Sequence, residues 1–181
     1  EEIASFQASL TPDVAVQNRD TRIKGISLNV WGENPQSALT IGFVNGSTGD
    51  SVGFSFLPWI GAFYNYAENY KGVHWGWVNM TFGEFTGWQA GLFNYADTFV
   101  GVQTGVVNYA DTMKGFQWGF VNASQQMSGL QLGIANYTTK ALNGLQVGII
   151  NIIPDNEWFS AYPNELAKGM VIANWNFGGS E

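Results

Sequence analysis

Chemistry has few places to reside in this sequence. There is one histidine, His74, and no cysteine. His74 lies in a stretch of alternating residues, and Ser55 falls at the matching place of the stretch before it. A serine, a histidine and an asparagine can form a hydrolytic group when nucleophile and base lie within hydrogen-bond reach. Only the matching positions support that here, so no residue is assigned a catalytic role and the chain is read as not an enzyme. One histidine without cysteine does not supply the ligand set of a structural transition-metal site, and no metal or cofactor is expected. Asp97 and Asp111 recur at one place of a repeated turn. Such carboxylates can hold Ca²⁺, but capping the turn is their commoner use. The most regular polar set is a series of amides, Gln89, Gln103, Gln117, Gln131 and Gln146, with His74 in the same place of an earlier copy. On one face of a closed structure these six line a lumen. They then either border a polar path for small solutes or form a hydrogen-bonded network that fills the interior, because buried amides must find partners. The network is the preferred reading.

The elements that carry these amides repeat. From Gly87 to Asn151 the phrase Gly-x-Gln-x-Gly-x-x-Asn occurs five times, opening at Gly87, Gly101, Gly115, Gly129 and Gly144. A fixed period means one structural unit used repeatedly. With slots counted from the opening glycine, slots 1, 3 and 5 are Gly, Gln and Gly. Slots 2, 4 and 6 are apolar in nearly every copy, as in Phe116, Trp118 and Phe120 or Leu130, Leu132 and Ile134. This period-2 alternation predicts a strand with two unlike faces. Small polar residues at slots 10–12 (Ala96-Asp97-Thr98, Ala110-Asp111-Thr112) predict a turn. A strand then runs from slot 13 to slot 9, about eleven residues, near the length a tilted strand needs to cross a bilayer. A three-residue loop keeps the faces of successive antiparallel strands in phase. Slot 7 (Val44, Val78, Phe93, Val107, Val121, Ile150) has the parity of the glutamine face yet is apolar, which predicts an apolar belt inside and no wide channel. Tyr95, Tyr109 and Tyr137 at slot 9 fit an aromatic girdle at a membrane interface.

Earlier copies are looser. Ser5–Leu10 alternates as a first strand, residues 11–22 read as a loop, Lys24–Asn34 carries a degenerate phrase, and Ser37–Asn45 is a clearer copy with Gly42 and Asn45 in register. Pro58 interrupts the next unit and marks a bulge, a strand end or an edge. Residues 1–177 are read as one domain, and 178–181 as an appended linker.

Composition narrows the class. Of 181 residues only 12% are charged, 15% are aromatic and 23 are glycine, with net charge −7. The seven basic residues are scattered, so no basic patch for nucleic acid exists. No run of 18 apolar residues suggests a membrane-spanning helix.

Two architectures satisfy the repeat. In a closed up-and-down antiparallel transmembrane β-barrel of about 12 short-looped strands, slots 2, 4 and 6 face lipid and the Gln face lines the lumen. In a β-solenoid, slots 2, 4 and 6 form a dry core and the Gln face is solvated. The near identity of successive repeats favours the solenoid, since a barrel's two ends usually differ; against it, a coil of 14 residues leaves little room for eleven extended ones, and its thin core would be crowded by Trp75, Trp77, Trp88 and Trp118. The ending weighs more. Gly169 to Phe177 closes on Trp175 and Phe177 and resembles the C-terminal strand signal that bacterial outer-membrane barrels present to their barrel assembly machinery. GLQLGIAN and GLQVGIIN in turn resemble the repeats of bacterial surface-repeat proteins built from tandem Gly-Leu-Gln-x-Gly-x-x-Asn units, predicted outer-membrane or surface proteins. The resemblance extends from Gly25 to Phe177, is weak at Gly25 and Gly53, and implies location and repeat architecture but no activity. The expectation is therefore a porin-like outer-membrane barrel in a lipid bilayer, either a passive narrow pore or a structural surface component. The alternative is a soluble or surface-attached solenoid used for binding or assembly.

Overall fold

The computed structural model describes residues 1–160 and 162–178, so most of the expected linker lies outside the described residues. Its strands are β1 (Ile3–Thr11), β2 (Val14–Ala15), β3 (Arg22–Glu33), β4 (Ser37–Phe56), β5 (Ala62–Ala90), β6 (Phe93–Thr104), β7 (Val107–Trp118), β8 (Val121–Ile152) and β9 (Gly169–Asn176). From β1 through β3 to β8 each strand pairs with the next in parallel. Only β2 on β1 and β9 on β8 are antiparallel. The chain is a parallel β-solenoid. The transmembrane barrel expected from the repeat is overturned by this pairing, since an up-and-down barrel requires antiparallel neighbours throughout. Between β6 and β7 the repeats stack in exact phase, with Asn94 opposite Asn108, Gly101 opposite Gly115 and Gln103 opposite Gln117.

The physical reason is the way one repeat bends. Side chains buried inside the coil occupy slots 13, 3, 8 and 10: Phe99, Gln103, Asn108 and Ala110 are buried in one turn, and Met113, Gln117, Asn122 and Ser124 in the next. The steps from 3 to 8 and from 10 to 13 are odd, so alternation slips once at each of two corners. One corner is the bend at slots 5 and 6, as at Gly105-Val106. The other is at slot 11, where pairing skips from Ala110 to Thr112. A straight strand from slot 13 to slot 9 is therefore wrong, and the objection that a 14-residue coil lacks room disappears. Slot 10 belongs to the interior and not to a loop.

Both glycine slots are steric requirements of this coil. A Cβ on Gly105 would sit 2.2 Å from the Gly91 carbonyl oxygen of the turn below, and one on Gly101, at φ +133, would sit 2.0 Å from that of Gly87. Adjacent turns are separated by one strand spacing, which leaves no volume for a side chain there.

The faces are also reversed relative to the solenoid foreseen from sequence. Slots 2, 4 and 6 lie outside, and the glutamines lie within. Slot 7 is outside as well, with Phe93, Val121 and Ile150 exposed, so there is no inner apolar belt. The small apolar core is slot 13 with slot 10: Phe85, Phe99, Met113 and Met127 with Ala96 and Ala110. Tyr70, Phe85 and Phe99 stack with centroids 5.9 and 5.8 Å apart. Side chains fill the coil, and a porin-like passage has no space in it.

Both ends are covered. At the front, the Gln17 amide donates to Gln7 Oε1 and Gln7 Nε2 donates back to the Gln17 carbonyl. At the back, β9 lies antiparallel along the last turn with Leu145 opposite Trp175. Trp175 Nε1 donates to the Pro163 carbonyl at 2.6 Å, and Phe177 is half-exposed beyond the strand.

Candidate interaction surface and amide ladders

Two columns of amides run along the interior. At slot 3, Gln146 Nε2 donates to Gln131 Oε1, Gln131 to Gln117, Gln117 to Gln103 and Gln103 to Gln89, at 2.7–2.8 Å. Each Nε2 also reaches the opposite sheet, as Gln103 does at the Tyr109 carbonyl. At slot 8 the direction is opposite. Asn65 Nδ2 donates to Asn79, Asn79 to Asn94, Asn94 to Asn108, Asn108 to Asn122, Asn122 to Asn136 and Asn136 to Asn151, at 2.8–2.9 Å. The second Nδ2 hydrogen of Asn108 goes to the Trp118 carbonyl at 3.0 Å, that of Asn122 to the Leu132 carbonyl at 2.9 Å. These bonds clamp the corner of the following turn. Pairing from rung to rung is what allows so polar an interior, because each buried amide left unpaired costs about 1–3 kcal/mol.

A one-way ladder has a spare acceptor at the member that receives nothing. Gln146 Oε1 and Asn29 Oδ1 are those atoms, and neither has a partner. Asn29 enters its column from slot 5: it donates to Asn45 Oδ1, and its amide fills the space a side chain at Gly32 would need.

The six residues expected to line a lumen are thus brought into one column, buried and with no lumen. His74 is its exception. It is fully buried against Tyr70 and Phe85, with ring centroids 4.0 and 5.1 Å away. Neither Nδ1 nor Nε2 has a hydrogen-bond partner. Burial holds its pKa down to about 3, so the ring is neutral. Ser55 is paired in register with His74, but its hydroxyl bonds to Tyr70 Oη at 3.0 Å. The contact that would make serine and histidine a nucleophile and base is absent.

Asp97 and Asp111 stand at the slot-11 corner. Tyr95 Oη donates to Asp97 at 2.5 Å and Tyr109 Oη to Asp111 at 2.8 Å, and the two tyrosine rings stack at 5.6 Å. The bond to Asp97 pushes the Tyr95 pKa up to about 12. These tyrosines form a ladder on the outer face of one sheet, not a girdle around a barrel. Among the described residues, no three His, Cys, Asp or Glu side chains are grouped to hold a metal ion.

The exterior is divided lengthwise. Slots 2, 4, 6 and 7 form an apolar ridge around the glycine corner. It begins at Phe6 and runs through Leu28, Val30 and Trp31, through Trp75, Trp77 and Trp88, to Trp118, Phe120, Ile134 and Ile149, all exposed. The pairing register keeps these slots stacked from turn to turn, and no Asp, Glu, Lys or Arg occupies them in any turn. At ~4.8 Å per turn the ridge is roughly 40 Å long. Charges gather on the opposite edge, as with Glu84, Asp97, Asp111, Lys114 and Lys140 at slots 11, 12 and 14. The barrel reading already placed slots 2, 4 and 6 outside; what sequence reasoning missed is that slot 7 joins them, and its signal was the absence of any charge from all four slots.

Compared with family models, with curated proteins and with solved structures, the chain matches none of them.

Proposed function

We propose that the protein is a non-catalytic, surface-attached β-solenoid that lies on a lipid bilayer through its apolar ridge. The observation that carries this is the ridge itself, continuous, uncharged and rich in exposed Trp, Phe and Ile, with Phe120 at 62% and Ile149 at 64% exposure. Monomers in water rarely expose a contiguous apolar patch beyond a few hundred Å². Tryptophans with one apolar body and one polar N–H suit the boundary between hydrocarbon and water. The charged edge stays in solvent while the ridge is covered. The expected location is the bacterial cell surface, which rests on the resemblance of the repeats.

The test is flotation with neutral phosphatidylcholine vesicles. Wild type rises with the vesicles, and the triple variant Trp118→Ser, Phe120→Ser, Ile149→Ser remains below. Binding changes little when salt is raised to roughly 0.5 M, because no ridge charge is available to screen. Anionic vesicles are bound less well, given the net charge of −7. A wild type that stays a monodisperse monomer in detergent-free buffer and ignores vesicles refutes the proposal. So does a dimer in buffer that the same triple variant splits, which would make the ridge a contact between copies.

A further inference from the structure

Backbone strain in this protein falls on side chains that find little to pack against within the molecule. Among the described residues, the non-glycine residues in the left-handed region are Trp59, Phe159 and Ile172, at φ +67, +55 and +72. That region is costly for a bulky or β-branched residue. Phe159 at least packs edge-on against Trp158, with ring centroids 5.1 Å apart. Trp59 is 93% exposed and Ile172 75%, and both stand on the ridge. Gly53 and Gly72 open successive turns 19 residues apart, five more than the 14 between Gly87 and Gly101. Ser55 keeps its place beside His74, and Asn65 its place beside Asn45, so the extra residues emerge between slots 3 and 8, at the glycine corner. They form a tight turn. The Ile60 amide donates to the Pro58 carbonyl at 2.9 Å, which makes Trp59 the centre of a γ-turn of the rare positive-φ kind. The Gly61 amide donates to the Leu57 carbonyl at 2.8 Å, and Trp77 Nε1 donates to the Ile60 carbonyl at 2.9 Å. At the back end, Ile172 lies opposite Gly148 at the same corner, next to the exposed Val171. No charged residue lies between Asp50 and Glu68, or between Lys168 and Phe177.

We propose that Trp59 and Ile172 are two anchors that enter the hydrocarbon of a neutral bilayer and hold the solenoid axis parallel to the membrane plane. This rests on the reading that the ridge lies on lipid. Seven strand spacings, ~34 Å, separate the turn that opens at Gly53 from β9. Two insertions that far apart fix the tilt of the molecule, which one could not. Hydrocarbon supplies the burial that both side chains lack in water, and this offsets the cost of their backbone. A fluid bilayer parts around a protruding turn such as Leu57 to Gly61, whereas a second copy laid ridge to ridge is held off by it.

The chain has no cysteine, so one nitroxide label at a time can be attached through Ile60→Cys, Val171→Cys or Asp111→Cys. On phosphatidylcholine vesicles the labels at 60 and 171 meet dissolved oxygen in preference to a water-soluble nickel complex, and to the same depth. The label at 111 does the reverse. In a second arm, Trp59→Asn and Ile172→Asn each unfold at the same urea concentration as wild type or a higher one, because asparagine enters the left-handed region more readily. The variant carrying both substitutions binds vesicles at least about tenfold more weakly, the loss expected for two large apolar side chains. A double variant that binds as wild type does, while Trp118→Ser, Phe120→Ser, Ile149→Ser does not bind, overturns the anchors and leaves the lipid reading standing. So does a label at 60 or 171 that stays in water while the labelled chain floats. A lower urea midpoint in either single variant also overturns the proposal, since the side chain then packs within the molecule. Wild type that fails to float removes both readings.

Discussion

Replacing His74 with glutamine tests the interior most sharply. The residue sits in the slot-3 column one turn before Gln89, which spends its Nε2 hydrogens on Thr81 Oγ1 and the Tyr95 carbonyl at 3.3 and 3.2 Å. His74→Gln offers Gln89 the acceptor that every later glutamine has, and removes two unpartnered ring nitrogens. Gln89 exchanges its long bond to Thr81 Oγ1 for that acceptor, so the gain is that of the relieved orphan, about 1–3 kcal/mol at neutral pH. The pH dependence is the stronger signature. Burial lowers the His74 pKa from 6.5 to about 3. Below pH 6.5 the unfolded chain takes a proton that the folded chain refuses, so wild-type stability falls as pH falls and continues to fall until about pH 3. The slope is ~1.36 kcal/mol per pH unit, which amounts to roughly 2 kcal/mol by pH 5. Carboxylates titrate in both proteins and cancel in the difference. Urea unfolding of wild type and variant from pH 7.5 to pH 5 therefore shows a stability difference that widens by about 2 kcal/mol. A difference that stays constant across that range, or a variant less stable than wild type at pH 7.5, refutes the account of His74 as a buried interruption of the ladder.

Other perturbations separate the parts of the coil. Asn108→Leu leaves Asn94 Nδ2, Asn122 Oδ1 and the Trp118 carbonyl unpaired, and is expected to cost about 3–5 kcal/mol in urea unfolding, more than Gln146→Leu, whose Oε1 already has no donor. Phe99→Ala opens a cavity in the slot-13 core and costs about 3–5 kcal/mol by the same measurement. Gly105→Ala drives a methyl group into the Gly91 carbonyl and costs at least about 2 kcal/mol. Gly49→Ala, with nothing near its Cβ, costs only about 1 kcal/mol for its positive φ.

Much of this architecture could be read from the residues. The period, the two unlike faces and the strand-forming alternation are all visible in Gly87 to Asn151. So was the inward direction of Gln89 to Gln146 in the barrel reading, though there it lined a lumen. Two features escaped. The apolar residues at slot 7 broke the parity of an eleven-residue strand, and that break was the corner at slots 5 and 6. Treating Phe93 and Val107 as an inner belt kept the strand straight and turned the topology antiparallel. The second was the rule that apolar residues go inside, which assigned Trp118 and Leu132 to a solenoid core. The rule fails because Gln and Asn recur at identical slots, and identical amides in parallel register satisfy one another at every turn. An antiparallel meander gives no such register, so the sameness of the repeats was itself the evidence for parallel stacking. The front turns hid their place in the column because Gln7, Ser27, Thr40 and Ser55 differ in kind, while pairing puts Gln7 beside Ser27, Ser27 beside Thr40 and Ser55 beside His74.

The opposed ladders have a consequence for growth. The asparagine column presents acceptors toward the front and donors toward the back, and the glutamine column does the reverse. The back of one molecule is thus chemically matched to the front of another, as rungs are in a fibre that templates its own extension. What terminates the polymer at one molecule is the pair of coverings, the β2 turn and the antiparallel strand β9. A chain reduced to residues 22–152, which lacks both coverings, is expected to elongate end on end into filaments visible by electron microscopy, whereas a chain cut only after Ile152 keeps its covered front and does not elongate. A 22–152 chain that folds and stays monomeric would show that the two uncovered ends do not recognise each other.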